Sequence, residues 1–370
     1  MSKAKTIVVS GVNIRKGGTL TIMRQCLEYL SHLSATEGFR IIALVHDKTL
    51  YPYSNIEYLE FPDTIISWGK RLWCEYVTMK KVAQGIGHID LWFSLHDTTP
   101  NVTADRQAVY CQTSFPFFKW KMQDFRFDFK IPLFAMFTRF AYRINVHRNN
   151  YLIVQQEWLR EGLSKMLGVP PAQFIVAPPE HNNQRLFKES ENHSTATFIY
   201  AATPDCHKNF ETLCKAAELL EDEKGKDHFK VVLTLKGNEN SYARWLHDRW
   251  GHVTSIEFAG FMTKERLYQT YNDSCCLVFP SRVETWGLPI SEYMGTGHPM
   301  ILSDLPYAHE TAAGSRLTTF FTFNDAHALK EKMKAVLDND LSDFHPIERS
   351  ASAPPVAASW EEIFKILLNG

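Results

Sequence analysis

Ser281-Arg282-Val283-Glu284-Thr285-Trp286-Gly287-Leu288-Pro289-Ile290-Ser291-Glu292 places two glutamates eight positions apart around a Trp-Gly-Leu-Pro turn. The apolar run Ser274-Cys275-Cys276-Leu277-Val278-Phe279 stands just before it and ends at Pro280. A short continuous apolar run of this kind reads as a buried parallel strand. A helix is expected from Glu292 to about Gly297, with Glu292 in its first turn. One carboxylate after a strand and one at the next helix start can face a single crevice at the carboxyl edge of a parallel sheet. Two such groups can hold two hydroxylated parts of one ligand, with backbone amides between them free for its phosphates.

The stretch resembles the donor site of glycosyltransferase family 4, the group 1 enzymes, which are retaining and have the GT-B fold. Members carry Glu, seven residues, Glu, with Gly-Phe-Gly-Leu-Pro between. Here Glu284 and Glu292 keep the spacing, and Gly287, Leu288 and Pro289 keep the core. Thr285 and Trp286 replace the usual Gly and Phe. The tail Glu292-Tyr293-Met294-Gly295-Thr296-Gly297-His298-Pro299-Met300-Ile301 follows the family pattern. A sugar-nucleotide epimerase or phosphorylase of the same fold, and a degenerate member that binds a membrane or a partner without transfer, are the rival readings.

The bulk properties fit a two-domain globular chain. Single cores stop growing near ~250–300 residues, and this chain has 370. Hydrophobic residues make up 45% and charged residues 22%, with a net charge of −1, so no general attraction to nucleic acid is expected. The seven cysteines lack metal-ligand spacing and fit reduced thiols, which points to a cytoplasmic location. Met1 to Lys5 run straight into a strand without the apolar region of a signal peptide.

Strand-like runs alternate with helical segments in two series. The first comprises Thr6–Ser10, Arg40–Val45, Asp90–Ser94 and Ala108–Cys111. Its amphipathic helix, Thr19–Leu33, follows the first strand. The second comprises Thr197–Ala201, Lys230–Leu235, Ser255–Phe258 and the Cys275–Phe279 run. The expected fold class is therefore α/β, with two doubly wound Rossmann-like domains. The boundaries drawn are 1–190 for an acceptor-binding domain and 191–357 for a nucleotide-sugar donor domain. The polar segment 182–194 is read as the hinge. The resemblance implies that the domains face across a cleft and that the amphipathic segment 358–370 crosses back onto the first.

Further segments carry chemistry. Gly17-Gly18 follows the first strand, where glycines allow close approach of an anion, although a plain turn reads equally well. Thr203-Pro204-Asp205-Cys206-His207-Lys208-Asn209 resembles the family segment whose lysine neutralises the donor diphosphate, a role that falls to Lys208. The family's companion arginine is Ala202 here, with Lys236 a weaker candidate for the second charge. Phe258-Ala259-Gly260-Phe261 matches a family turn that meets the nucleotide base through backbone groups. In Tyr110-Cys111-Gln112, the family's cleft histidine is replaced by Gln112, which cannot take a proton at neutral pH. His96 is the alternative acceptor-side group, or else a structural histidine.

Residues 115–148 interleave aromatic and basic side chains, with Asp124 and Asp128 the acidic exceptions. Phe125, Phe127 and Phe129 alternate like a strand, and Pro132–Arg148 reads as a helix. This composition suits a lipid-linked saccharide acceptor or an anionic membrane surface, or equally a helix buried against the sheet. Asp338-Asn339-Asp340 reads as a solvated turn. The resemblance thus implies retaining transfer of a sugar from a nucleotide-sugar to a saccharide or lipid-linked saccharide, with a bacterial surface polysaccharide or lipopolysaccharide as the end product. Glu284 and Lys208 would be catalytic. The donor would be bound by Gly17, Gly18, Lys208, Phe261, Glu284, Thr285, Trp286, Gly287, Leu288 and Glu292. No cofactor, metal or nucleic acid is implied.

Overall fold

The computed structural model describes residues 4–179 and 196–369. The 182–194 segment read as a hinge lies outside them. The described residues form two all-parallel sheets, and the chain divides into two units.

The first unit comprises Met1–Pro116, Met136–Glu180 and Ser352–Gly370. Its strands are β1 (Thr6–Ser10), β2 (Arg40–Val45), β3 (Glu57–Glu60), β4 (Leu91–Ser94), β5 (Arg106–Tyr110), β6 (Tyr151–Val154) and β7 (Phe174–Val176). They lie in the order β3-β2-β1-β4-β5-β6-β7. β1 and β4 are buried along their whole length, as expected of strands covered on both faces. Successive side chains of β1 serve opposite cores. Ile7 and Val9 join Leu27, Leu30 and Phe364, while Val8 joins Trp92 and Met79.

The helix after β1 runs Gly17–Glu37, longer at both ends than its apolar spacing suggests. The C-terminal helix Trp360–Asn369 packs on the first unit. Phe364 stacks on Tyr29 at 5.5 Å and meets Phe93 edge-on at 5.7 Å.

The second unit comprises Phe117–Ala135 and His181–Ala351. Its strands are β8 (Ala196–Tyr200), β9 (Phe229–Leu233), β10 (Ile256–Phe258), β11 (Cys276–Phe279), β12 (Met300–Ser303) and β13 (Thr318–Phe321), in the order β10-β9-β8-β11-β12-β13. Residues 117–135, assigned from the sequence to the first half, therefore pack with the second unit. The reason is a set of side chains with no sequence signature of long-range pairing. Asp124 is ion-paired with Arg282, and Phe127 sits against Tyr242 and Trp245.

Two local expectations are corrected. Phe125 and Phe127 lie in a short helix, Asp124–Phe127, and not in a strand. The following helix is Lys130–Arg143 and ends before Arg148, which falls in a separate 3-10 turn, Val146–Arg148.

Candidate functional site

In each sheet the strand order reverses once. β1 and β4 are neighbours from which the chain winds outward in opposite directions, and so are β8 and β11. Loops that leave the carboxyl ends of such neighbours splay apart and leave an opening there. Lys208 follows β8 and Glu284 follows β11, so topology alone brings both to the switch point of the second sheet. The Lys208 ammonium donates to Glu284 Oε1 at 2.6 Å, across 76 residues of sequence. The two side chains are 16% and 13% exposed, so both remain accessible. The ammonium has three donors, and Glu284 uses one.

Both loops are held firmly. Asn209 is fully buried and takes a left-handed backbone, φ 59°. Its side-chain amide donates to the Pro280 carbonyl at 3.0 Å and the Phe323 carbonyl at 2.6 Å, tying the loops after β8, β11 and β13 together. Tyr307 donates to the Ser281 carbonyl at 2.7 Å, and Thr311 donates to the Trp286 carbonyl. Asn209, Tyr307 and Thr311 each act on a backbone carbonyl that only folding brings near, so no local pattern marks these roles.

Gly287 sits at φ 89°, and a side chain there would also crowd Ile290. That turn and Pro289 in the first helical positions start the helix early, at Leu288–Tyr293. Glu292 consequently lies in the last turn of a six-residue helix, which corrects its expected place at a helix start. It is half-buried. Burial pushes its carboxyl above the usual range, against the opposing pull of Lys264, Tyr271 and Tyr268. Tyr271 lies 3.4 Å from Glu292 Oε2. Trp286 donates its indole N–H to Ser291 at 3.1 Å. Thr285 is partly buried in the same turn, and Leu288 is 38% exposed. Phe261 follows β10 at the far edge of the sheet and is 91% exposed. Lys236 lies along Gly260 in that same edge region.

In the first unit, Gly17 takes φ 70° and opens its helix, and an added Cβ on Gly17 or Gly18 would meet nothing within 4 Å. His96, read as either an acceptor-side group or a structural histidine, is enclosed within the first unit. Its ring is 2% exposed and saturated, with Ser10 Oγ at 2.9 Å on Nε2 and Thr98 Oγ1 at 3.0 Å on Nδ1. Burial holds the imidazole below its usual pKa, with Glu75 opposing. Glu75 is itself fully buried. Burial pushes its carboxyl up, but His96, Arg71 and the bonds from Arg71 and Thr98 outweigh that and leave it low. Gln112 is partly buried, and its side-chain amide donates to the Leu95 carbonyl at 2.8 Å.

The group the sequence passed over is Asp97, beside His96. It has a left-handed backbone, φ 70°, and its Oδ1 accepts from the Gln112 N–H at 2.6 Å and the Thr113 N–H at 3.1 Å. Burial raises its pKa to about 6, with Arg71 and the two backbone donors pulling the other way. The folded protein therefore binds this proton more tightly than the unfolded chain does. Stability from this group is present at low pH and is lost as pH rises from about 4 to about 6. Asp97→Asn, which keeps the acceptor oxygen, should leave stability near pH 4 unchanged and raise it above pH 6.5. Urea unfolding at the two pH values checks this, and equal midpoint shifts at both would contradict it.

The group of titratable residues close enough to share an ion among the described residues is His88, Asp90 and Asp105. These precede β4 and β5, at the amino edge of the first sheet, away from its switch point. No helix among the described residues is long and apolar enough to cross a membrane.

Residues 182–352 match the family described as glycosyl transferases group 1. The O-antigen chain mannosyltransferase RfbU of Salmonella typhimurium is 22% identical over 185 residues, 49% of this chain and 50% of that one. The chain spans at most half the length of the curated relatives it matches. Among solved structures, WaaG, a glycosyltransferase involved in lipopolysaccharide biosynthesis, superposes with a TM-score of 0.62 at 12% identity, covering 98% of this chain and 100% of that one. Anabaena HepE in complex with UDP and glucose gives 0.61 at 14%, covering 91% of each. Residues 182–352 thus resemble the group 1 glycosyl transferases, and the chain has the GT-B fold.

Proposed function

We propose that the chain is a retaining glycosyltransferase that moves a sugar from a nucleotide-sugar to a saccharide or lipid-linked saccharide in lipopolysaccharide or O-antigen synthesis. The observation that carries this is the Lys208–Glu284 pair at the switch point of the second sheet. In this reading Lys208 and the backbone N–H groups of the Trp286–Leu288 turn meet the diphosphate. Glu284 holds hydroxyls of the transferred sugar and offsets positive charge as the sugar becomes oxocarbenium-like. Glu292 holds the ribose hydroxyls. Gly17 and Gly18 give the first unit a backbone surface that an anionic ligand can approach.

Transfer is proposed on one face of the sugar. The bond from C1 to the β-phosphate oxygen breaks, and the bond from C1 to the acceptor oxygen forms. The acceptor proton passes to the departing phosphate oxygen. No protein nucleophile and no metal are required, which suits a chain with Gln112 where a base would stand and with His96 sealed in its own bonds. Asp97, just after β4, is a titratable group at the first switch point. The RfbU likeness suggests mannose as one donor sugar to try, and HepE suggests UDP as one nucleotide. The test is release of nucleoside diphosphate from nucleotide-sugars. Release that depends on an added lipid-linked saccharide, with the anomeric configuration kept in the product, supports the reading. Release without an acceptor, or with inversion, contradicts it and favours an epimerase or hydrolytic activity.

A second reading concerns location. The helix Lys130–Arg143 is inverted relative to a core helix. Its inner positions are Ala135, Thr138 and Tyr142, while Leu133, Phe137 and Phe140 are 38%, 61% and 51% exposed. Phe129 and Ile144 extend the outer stripe, and no acidic residue lies between Lys130 and Arg148. Tyr76 donates to the Ala141 carbonyl at 3.3 Å, which places the segment bearing exposed Trp68 and Trp73 beside this helix. Aromatic side chains flanked by cations suit an anionic lipid surface. Co-sedimentation with vesicles containing phosphatidylglycerol should exceed that with neutral vesicles and fall with salt. Phe137→Ser with Phe140→Ser should abolish it, and binding indifferent to these changes would argue against this surface.

A further inference from the structure

Arg282 stands two residues before Glu284, and its side chain is 2% exposed. Its guanidinium donates to Asp124 Oδ1 at 2.6 Å and to the Cys206 carbonyl at 3.2 Å, and it lies 4.6 Å over the Phe118 ring. The backbone N–H of Arg282 donates to the His207 carbonyl at 2.9 Å. Arg282 therefore ties the loop that ends in Lys208 to the loop that carries Glu284. Its Nε and one terminal nitrogen find no partner among the described residues. A buried guanidinium so sparsely bonded depends heavily on its counter-ion.

That counter-ion comes from far away in sequence. Asp124 is 1% exposed and lies 158 residues before Arg282. Its other oxygen accepts the Lys121 N–H at 2.6 Å, which shapes the turn that presents it. The surrounding segment is strapped to the second unit at several further points. Phe127 packs 5.1 Å from Tyr242 and 5.0 Å from Trp245, and Ser241 donates to the Phe127 carbonyl at 2.9 Å. The Lys121 ammonium lies 5.8 Å over Phe323, whose carbonyl accepts from Asn209.

We propose that Asp124 is a positioning residue for the Lys208–Glu284 pair, acting through Arg282. Residues 117–128 form a strap that sets the spacing of the two loops. The ligand consequence rests on the function proposed above, in which Lys208 meets a diphosphate. The positional claim rests on the contacts alone. A stretch outside residues 182–352 thereby completes the site that those residues carry.

Full-length Asp124→Asn removes the charge and keeps the shape. Amide exchange should rise in residues 206–209 and 281–287 and stay unchanged in β9 and β10. Affinity for UDP or GDP should fall about tenfold, as expected when one charge-assisted hydrogen bond is displaced, while affinity for UMP or GMP stays within about twofold. The double variant Asp124→Leu with Arg282→Met separates positioning from stability. Removing both buried charges should restore the unfolding temperature that Asp124→Leu alone lowers. The diphosphate preference should stay lost. Unchanged exchange in both loops, or recovery of stability and preference together, would overturn the proposal. A wild-type protein that binds mono- and diphosphates equally removes the diphosphate role of Lys208 from the proposed function, and the exchange result then decides the positional claim alone.

Discussion

Glu284→Ala is expected to lower sugar transfer by roughly 10³-fold, the scale of losing one preorganised electrostatic partner of a transition state. Glu284 is held at 13% exposure with one oxygen on Lys208, so its position is fixed before any ligand arrives. A group fixed in this way can stabilise developing charge on the sugar with little reorganisation. The same substitution frees the Lys208 ammonium from its carboxylate. Binding of the nucleoside diphosphate alone should therefore hold or tighten. Glu284→Gln keeps hydrogen bonding without the charge, and should fall between wild type and alanine in rate. Steady-state kinetics alongside calorimetric titration of the diphosphate checks the split. Loss of diphosphate binding together with rate would reject this division of roles.

Lys208→Ala should act on the opposite half of the ligand. It removes a cation from a partly buried site and leaves Glu284 without its partner. A drop of about a hundredfold in kcat/KM, near 2.7 kcal/mol, is expected from loss of both diphosphate binding and leaving-group stabilisation. Lys208→Arg keeps the charge on a differently shaped head and should recover part of it. Affinity for the nucleoside monophosphate should barely change. Equal weakening of mono- and diphosphate would place the lysine elsewhere in the ligand's path.

The two-sheet fold was legible because parallel strands buried on both faces leave continuous apolar runs. Thr6–Ser10 and Arg40–Val45 match their strands residue for residue. Lys208 and Glu284 were legible because each follows such a run closely, and strand order then brings them together. Glu292 was misplaced by half a helix because Gly287 and Pro289 start the helix earlier than the apolar spacing suggests. The sequence around His96 leaves an acceptor-side and a structural role equally open. The ring's satisfaction by Ser10, Thr98 and Glu75 depends on residues as many as 86 positions away. Phe125, Phe127 and Phe129 alternate like a strand yet Asp124–Phe127 is helical, because nothing local marks Asp124 as the partner of Arg282. Buried ion pairs formed across 158 residues carry no periodicity to read.

The most direct test of the central claim is a thermal-unfolding panel with UDP, GDP, ADP and dTDP and their common sugar conjugates. At about one hundred times the dissociation constant, a ligand that binds only the folded state stabilises it by roughly 2.7 kcal/mol. The account predicts a clear upward shift with the conjugates of one nucleotide, diminished in Lys208→Ala. Unfolding that no nucleotide moves, or a shift that Lys208→Ala leaves intact, would contradict a nucleotide-sugar site at Lys208 and Glu284.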